Sequence, residues 1–329
     1  SGSWSMYGVV YNTVDGDLEL SGISTAYGLS TASYDSVSFS VASQDTVPME
    51  LQFNTDGTKM YVLGYGNKTV YQYTLSTGFD LSTASYDSVS FSVNAQETDP
   101  RGMAFSADGS YMFIAGTQTA GEINDYYLAT SWDLSTALVN GNVLDVSAAG
   151  DGPTGMAFNS TGTKMYVVGA TNDTIYQWSL SSAFDIATAT YDSVSFSVTS
   201  QDTNPTSVVF NSAGTKMFVA GSTNAAIYQY TLSTAFDLST ASYDSVSFSV
   251  TAQDSGPRGV VFNSLGTKMY VVGITTDTVY QYTTGAIVIS TGYNPVHTTS
   301  SIDSTYWTDI NSMTADQAAG SGNVYYAIS

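Results

Sequence analysis

A thirteen-residue phrase recurs along this chain and constrains its fold more than any other feature. It reads LSTASYDSVSFSV from Leu29, Leu81 and Leu238, and IATATYDSVSFSV from Ile186. Five prolines recur with the same step, at Pro48, Pro100, Pro153, Pro205 and Pro257, spaced 52, 53, 52 and 52 residues apart. A regular period of this kind indicates a repeat architecture, so five copies of one unit are predicted over residues 29–284.

Each unit has the pattern of four short β-strands. In YDSVSFSV, Val37, Phe39 and Val41 alternate with serines, which predicts a strand with one buried face. The stretch TDGTKMYVLG predicts a tight turn followed by a strand that is apolar on both faces and therefore interior. No window of useful length has helical periodicity, so the unit is predicted to be all-β.

Four antiparallel strands in about 52 residues favour a β-propeller of five four-stranded blades. The strand after each proline carries small residues and is expected to line the axis, while SYDSVSFSV is expected to be the outermost strand. The fifth copy lacks an outer strand, so the N-terminal copy is expected to close the ring. A β-solenoid is the rival fold. Six or seven blades are the alternative count, and a sixth, atypical blade could be made of both termini. The predicted domains are an N-terminal extension over 1–28, the propeller over 29–284, and a β-rich segment over 285–329.

Composition excludes several functions. The chain has 7 Lys plus Arg against 28 Asp plus Glu, a net charge of −21, and such a surface repels phosphate backbones and anionic lipid heads. Nucleic acid is therefore not expected as a partner, and without a long apolar run neither is membrane insertion. The absence of Cys excludes disulfides and thiolate metal sites.

An acidic residue precedes each repeat proline by two or three positions. Asp45, Glu97, Asp202 and Asp254 lie three residues before their prolines, and Asp151 lies two before its own. These carboxylates are candidates for a ring at one mouth of the channel that would hold Ca²⁺, a cation that prefers hard oxygen ligands. The alternative is that each one caps its own turn, as Asp commonly does. No other cofactor is expected.

The sequence favours a binding function over an enzymatic one. His297 is the only His, so the chain cannot supply a centre that needs several histidines, and no catalytic residues are predicted. Recurrent tyrosines at strand spacing are expected to pack between blades. Aromatic residues without a place in the repeat pattern are candidates for glycan or partner contacts: Trp4, Trp132, Tyr306 and Trp307.

The units GTKMYVVGATNDTIYQWSLSSAFD and GTKMYVVGITTDTVYQY resemble the YVTN-like β-propeller repeats of bacterial surface proteins. With LSTASYDSVSFSV and the turn QDTNP, they are most similar to repeats in tail-fibre and other virion proteins of marine bacteriophages, and WTDINSMTADQAAGSGNVYYAIS is similar to a segment that follows propellers there. The resemblance covers about four fifths of the chain and transfers no catalytic residues. It implies a non-enzymatic virion protein, a tail fibre or similar appendage, located in the virion or outside the cell. Other virion subunits, contacted through the termini, and a host-surface glycan are the expected partners. The alternative is a free-standing lectin or bacterial adhesin.

Overall fold

The computed structural model describes residues 26–118, 121–147 and 152–285, together with two short strands near the N-terminus. Those two strands, β1 (Val9–Tyr11) and β2 (Leu18–Leu20), pair with each other in antiparallel register. They belong to a unit made of residues 1–25 and 286–329, and residues 26–285 form the second compact unit. No helix among the described residues is long and apolar enough to cross a membrane.

The unit over residues 26–285 is a five-bladed β-propeller, and each blade is a four-stranded antiparallel sheet. From the axis outwards, blade 1 comprises β4 (Pro48–Phe53), β5 (Lys59–Gly64), β6 (Thr69–Leu75) and β7 (Ala84–Ser92). Blade 2 comprises β8 (Pro100–Phe105), β9 (Tyr111–Gly116), β10 (Glu122–Leu128) and β11 (Ala137–Asp145). Blade 3 comprises β12 (Pro153–Phe158), β13 (Lys164–Gly169), β14 (Thr174–Leu180) and β15 (Ala189–Ser197). Blade 4 comprises β16 (Pro205–Phe210), β17 (Lys216–Gly221), β18 (Ala226–Leu232) and β19 (Ala241–Ser249). Blade 5 comprises β20 (Pro257–Phe262), β21 (Lys268–Gly273), β22 (Thr278–Thr283) and, as its outer strand, β3 (Ser33–Ser40).

The N-terminal copy of the repeated phrase closes the ring, as the sequence predicts. Strand β3 pairs with β22 in antiparallel register, with Ser40 opposite Thr278 and Ser33 opposite Thr283. Residues more than two hundred positions apart thus share one sheet, which joins the first and last repeats of the propeller.

The strands that follow the prolines are innermost, also as predicted. Each of β4, β8, β12, β16 and β20 contacts the corresponding strand of the next blade, and β20 returns to β4. They approach most closely at glycines: a Cβ on Gly102 would lie 2.9 Å from the Cα of Gly155, and one on Gly155 would lie 2.6 Å from the carbonyl oxygen of Thr206. Only residues without a side chain fit at these points, which explains the small residues on one face of the inner strands.

The cores lie between neighbouring blades. One cluster joins Val62 and Tyr73 of blade 1 to Tyr270 and Val279 of blade 5. The hydroxyl of Tyr270 donates a hydrogen bond across the same interface to the carbonyl of Phe79. The recurrent tyrosines therefore pack between blades, and each blade is stabilised chiefly by the next one.

The outer strands of blades 1, 3, 4 and 5 share a bulge at the Asp-Ser of YDSVSFSV. In β7, Asp87 and Ser88 are inserted opposite the point between Gln72 and Tyr73 of β6, and Ser88 adopts a φ of 59°. The bulge lets Asp87 accept hydrogen bonds from Lys59 Nζ at 2.7 Å and Gln72 Nε2 at 2.9 Å. The phrase recurs because it supplies the strand, the bulge and this carboxylate at equivalent places around the ring.

Candidate functional site

The rim of the propeller uses most of the chain's lysines. The repeat lysines of four blades form ion pairs of 2.6–2.7 Å with bulge aspartates: Lys59–Asp87, Lys164–Asp192, Lys216–Asp244 and Lys268–Asp35. Burial opposes ionisation of Asp244, but hydrogen bonds from Lys216, Thr231 and Gln229 outweigh it and hold its pKa below the usual value. These charges hold the outer strand to the rest of its blade and are already partnered.

A cleft of about 600 Å³ opens at the rim between blades 3 and 4. It contains Lys164, Gln177 and Asp192 of blade 3 beside Phe236 and Asp237 of blade 4. Gln177 donates from Nε2 to Asp192 at 2.7 Å and accepts from the backbone N–H of Leu238 at 2.9 Å. The polar groups of the cleft thus serve the contact between blades, and the cleft alone identifies no ligand.

The four described carboxylates of the predicted Ca²⁺ ring each bind backbone amides of their own blade. Asp45 accepts from the N–H groups of Val47 at 2.8 Å, Gly66 at 3.0 Å and Asn67 at 2.7 Å. Glu97, Asp202 and Asp254 accept in the same way from Asp99 and Gln118, from Asn204, Thr223 and Asn224, and from Gly256, Thr275 and Thr276 respectively. Among the described residues, no three His, Asp or Glu side chains gather as a metal site would require. The capping alternative is therefore seen at all four positions, and Ca²⁺ binding stays a prediction; Asp151 lies outside the described residues.

These caps define the face of the propeller called here the entrance face. It carries the loops that lead into the inner strands and the loops that join the second and third strands of each blade. Asp45 links the two kinds of loop in blade 1, because it precedes β4 and binds the amides of Gly66 and Asn67. Asp45 therefore ties the loop that enters the inner strand to the loop between the second and third strands.

Trp132 is the only one of the four predicted aromatic contacts that lies among the described residues. Its ring covers Gly109, where a Cβ would lie 2.2 Å from it, and its centroid is 5.3 Å from that of Phe105. The equivalent positions of the other blades hold Tyr27, Phe79, Phe184 and Phe236, which cover their own turn glycines. Trp132 thus belongs to the repeat, and the prediction that it falls outside the pattern was wrong. The sequence carried a signal for this, because WD at 132–133 corresponds to the FD of blades 1, 3 and 4. Trp4, Tyr306 and Trp307 lie outside the described residues.

The axis holds a buried acid that sequence reasoning missed. Glu50 occupies the third position of β4, where the other inner strands have Gly102, Gly155, Ser207 and Gly259, and it is 1% exposed. Its carboxyl accepts from the Leu51 N–H and the Ser207 hydroxyl, both at 3.0 Å. Burial raises the pKa of Glu50 well above the usual value, and these two hydrogen bonds only partly oppose the effect. One carboxyl therefore fills the space that four small residues leave at the axis.

Three cations on the entrance face also break the repeat. Arg101 and Arg258 hold the second positions of β8 and β20, the two inner strands that flank β4. The guanidinium carbon of Arg101 lies 4.6 Å from the ring centroid of Tyr65, and Nζ of Lys68 lies 4.5 Å from the same centroid. The sequence signal was available in the inner-strand copies PMELQF, PRGMAF, PTGMAF, PTSVVF and PRGVVF, where Glu and Arg depart from the small and hydroxylated pattern.

Blade 2 differs from the others at its rim. The row that crosses its three outer strands is Tyr111, Tyr127 and Leu138, in register. In blade 4 the corresponding row is Lys216, Thr231 and Ser242, and the other three blades have the same residue types. Four of the five large apolar residues that the described part of the chain exposes lie in blade 2: Tyr127 at 40%, Leu138 at 61%, Val139 at 48% and Val143 at 54%.

No protein-family model matches the sequence, and no curated protein matches it. Among solved structures, a protein of unknown function from Desulfotomaculum acetoxidans is similar with a TM-score of 0.41 and 12% identity, over 69% of this chain and 62% of that one. A protein from Bacteroides uniformis that is provisionally named a 6-phosphogluconolactonase has a TM-score of 0.45 and 14% identity, over 71% of this chain and 67% of its own. A second protein with that provisional name, from Bacteroides fragilis, also has a TM-score of 0.45 and 14% identity, over 85% of this chain and 74% of its own. The five-bladed architecture rests on the strand pairing above, and these similarities assign no activity.

Proposed function

We propose that this chain is a non-enzymatic attachment module of a virion appendage, such as a bacteriophage tail fibre. The propeller would be fixed to neighbouring subunits and would present its entrance face to the host surface. The observation that carries the proposal is the exposed apolar row of blade 2. This row is charged or hydroxylated in the other four blades, so the scaffold does not require it to be apolar. Its apolar character in blade 2 therefore points to a contact made by that surface.

Exposed apolar residues on an edge strand favour a fixed neighbour. Strand β11 has a partner on one side only, and Leu138 and Val143 are more than half exposed on it. Leu138 pairs with Tyr127 and Val143 pairs with Asn124, so the two side chains lie on opposite faces of the sheet. Exposed apolar residues along an edge strand mark an interaction surface or an aggregation hazard. Another subunit of the appendage that covers this edge would remove the hazard.

The chemistry of the described residues favours binding over catalysis. The rim aspartates are paired with lysines, and the entrance-face carboxylates are held by backbone amides. Groups held in this way support a rigid scaffold, and loops on a rigid scaffold are where recognition commonly lies. The resemblance of the repeats to those of phage virion proteins points in the same direction.

Two measurements test the proposal. Fluorescently labelled chain should bind saturably to cells of at least one bacterial host or to a glycan array, whereas heat-denatured chain should not. The genes on either side of this one should encode virion components. Attachment without virion neighbours would instead favour the free-standing lectin or adhesin, and a well-folded chain that binds no cell and no glycan would overturn attachment.

A further inference from the structure

The chain has only 7 cationic side chains, and their distribution is uneven. Four are the rim lysines, each paired with a bulge aspartate. The remaining three are Lys68, Arg101 and Arg258, which all belong to the entrance face. A chain of net charge −21 thus places every cation outside the rim ion pairs at one end of the propeller.

The three cations surround an apolar floor. Met49 lies between the two arginine positions, because it holds the second position of β4 while Arg101 and Arg258 hold it on the flanking strands. Tyr65 and Ile274 pack against the same hydrophobic cluster as Met49. Tyr65 is half-buried and has two of the cations near its ring. An apolar surface with cations beside it therefore lies at the channel mouth.

The scaffold does not need arginine at this position. In blades 3 and 4 the same place holds threonines, and their hydroxyls donate to the proline carbonyls of the next blade, Thr154 to Pro205 at 2.9 Å and Thr206 to Pro257 at 3.4 Å. Those threonines join neighbouring blades with a small side chain. Arginine at two of five positions is thus an addition to the repeat.

The arginines are incompletely neutralised by the described part of the chain. Arg101 Nε lies 2.7 Å from Asp99 Oδ1. Arg258 has no ion pair among the described residues, and its Nε is buried there without a hydrogen-bond acceptor. Asp254, four residues earlier, is held by the amides of its own blade. A buried N–H of a charged group without a partner is costly, so the position favours an acceptor from outside.

The two guanidinium groups influence each other. Burial lowers the pKa of Arg258 and the positive charge of Arg101 lowers it further, while the negative charge of Asp254 opposes both without cancelling them. Like charges held together in this way are stabilised when an anion lies between them.

From this geometry we propose that the mouth of the channel binds a carboxylate-bearing sugar residue of a surface polysaccharide, such as a uronic acid. Arg258 and Arg101 would hold the carboxylate, since the planar guanidinium matches its two oxygens, and Lys68 would add charge. Tyr65 would contact the apolar face of the sugar ring. The inference rests on the proposed attachment function and names the chemistry of its ligand.

Two features shape this recognition. Glu50 and the close-packed glycines fill the axis one residue further in, so the ligand would be held at the mouth and would not enter the channel. The carboxylates of the entrance face oppose an anion at short range, although backbone amides hold each of them, and more distant charges are screened beyond about 8 Å at physiological ionic strength. Contacts with the arginines therefore decide the affinity.

The test is titration calorimetry of the full chain with an oligogalacturonate and with a neutral oligosaccharide of equal length, in 0.15 M salt. We expect binding of the acidic oligomer only, weakened by about tenfold in Arg258→Gln and by less in Arg258→Lys, which keeps the charge but loses the planar fork. Lys164→Gln removes the same charge from the rim and should leave the affinity unchanged. Circular dichroism would confirm that each variant is folded.

The outcomes separate the ligand from the attachment function. Wild-type affinity for the acidic oligomer in Arg258→Gln would overturn the site. Saturable attachment to cells or neutral glycans that is insensitive to Arg258→Gln, without binding of the acidic oligomer, would overturn the ligand class while the attachment function stands. Absence of attachment to any cell or glycan would overturn the proposed function itself.

Discussion

The axis and the rim of this propeller respond differently to changes in sequence. At the axis, neighbouring inner strands approach so closely at Gly102 and Gly155 that an added Cβ would lie within 3 Å of backbone. At the rim, blade 2 replaces the whole polar row of the other blades. Blade 2 has Asp125 where blade 4 has Gln229. Asp125 accepts hydrogen bonds from Asn140 and Asn142, whereas the bulge carboxylate of blade 4, Asp244, accepts one from Lys216.

The difference shows what the repeat requires. At the rim, the carboxylate at the bulge needs hydrogen-bond donors. Lysine and glutamine provide them in four blades, and two asparagines provide them in blade 2. The axis needs a fixed volume, because five strands converge there and nothing can move aside. The close-packed glycines of the inner strands should therefore tolerate few substitutions, and the polar row at the rim should tolerate more.

The largest effect is expected for Gly155→Val. The new Cβ would lie 2.6 Å from the carbonyl oxygen of Thr206 and 2.8 Å from the Cα of Ser207, both backbone atoms of the next blade. We expect a loss of more than about 3 kcal/mol in the free energy of unfolding, measured by urea denaturation, or no soluble protein.

Ser207→Ala is the matched control at the equivalent position of blade 4, where a Cβ already fits. It removes the hydrogen bond to Glu50 and should cost about 1 kcal/mol. If Gly155→Val were as stable as Ser207→Ala, close approach would not be what restricts the axis.

Glu50→Gln should give the next largest effect on the free energy of unfolding, and the size of this effect depends on pH. The folded protein holds the Glu50 proton to a higher pH than the unfolded chain, in which the carboxyl ionises near its ordinary value of 4.5. Protonated Glu50 therefore makes its full contribution to the free energy of unfolding below the unfolded pKa, and this contribution is lost as the pH rises toward the pKa of the folded protein. Glutamine carries no charge, so the variant should exceed the wild type by about 1–2 kcal/mol at pH 8.

The same variant serves as its own control. At pH 4 the two proteins should have nearly the same free energy of unfolding, because Glu50 is then protonated in both states of the wild type. The rim aspartates have the opposite sign: where their pKa values are lowered, stability is lost only as the pH falls below the ordinary range. A difference between variant and wild type that is constant from pH 4 to pH 8 would show that Glu50 has the same pKa in the folded and unfolded states, and would contradict the raised pKa.

A smaller effect is expected for Lys216→Met at the rim of blade 4. Asp244 would lose its ion pair but keep hydrogen bonds from Thr231 and Gln229, and Lys216 is itself one-third exposed. We expect a cost of about 1 kcal/mol by thermal or urea denaturation. Adding Asp244→Asn should recover part of it, since the unpaired charge is then removed; a double variant less stable than Lys216→Met would contradict this.

The features that recur in every repeat could be predicted from the sequence, and the local departures from regular strand geometry largely could not. The repeated phrase, the prolines and the alternation in β3 predict five blades, the innermost strand and the closure of the ring. They do not predict the bulge, because Ser36 and Ser88 adopt a positive φ that serine rarely takes and no turn residue announces it.

The candidate site shows the same limit. Glu50, Arg101 and Arg258 are visible in the sequence as departures from the inner-strand pattern. That they meet at one mouth depends on the ring, which places blades 5, 1 and 2 side by side although Arg258 is 157 residues after Arg101. The residues that recur in nearly every copy, such as Asp45 and Asp254, serve the scaffold, whereas the site is made of residues that only one or two copies carry.

The smallest effect on stability is expected for Leu138→Ser combined with Val143→Ser on β11. Both side chains are more than half exposed, so the free energy of unfolding should change by less than about 0.5 kcal/mol. Association should change more: the isolated chain lacks the neighbour that would cover this edge and should self-associate at high concentration, and the double variant should do so less, as measured by light scattering. Leu265→Ser, which removes an equally exposed leucine from a turn of blade 5, should leave self-association unchanged. Equal reductions in both variants would mean that apolar exposure in general drives association. A reduction confined to the blade 2 variant would make the rim of blade 2 a specific contact surface, in agreement with the loss of the polar row from that blade alone among the five described.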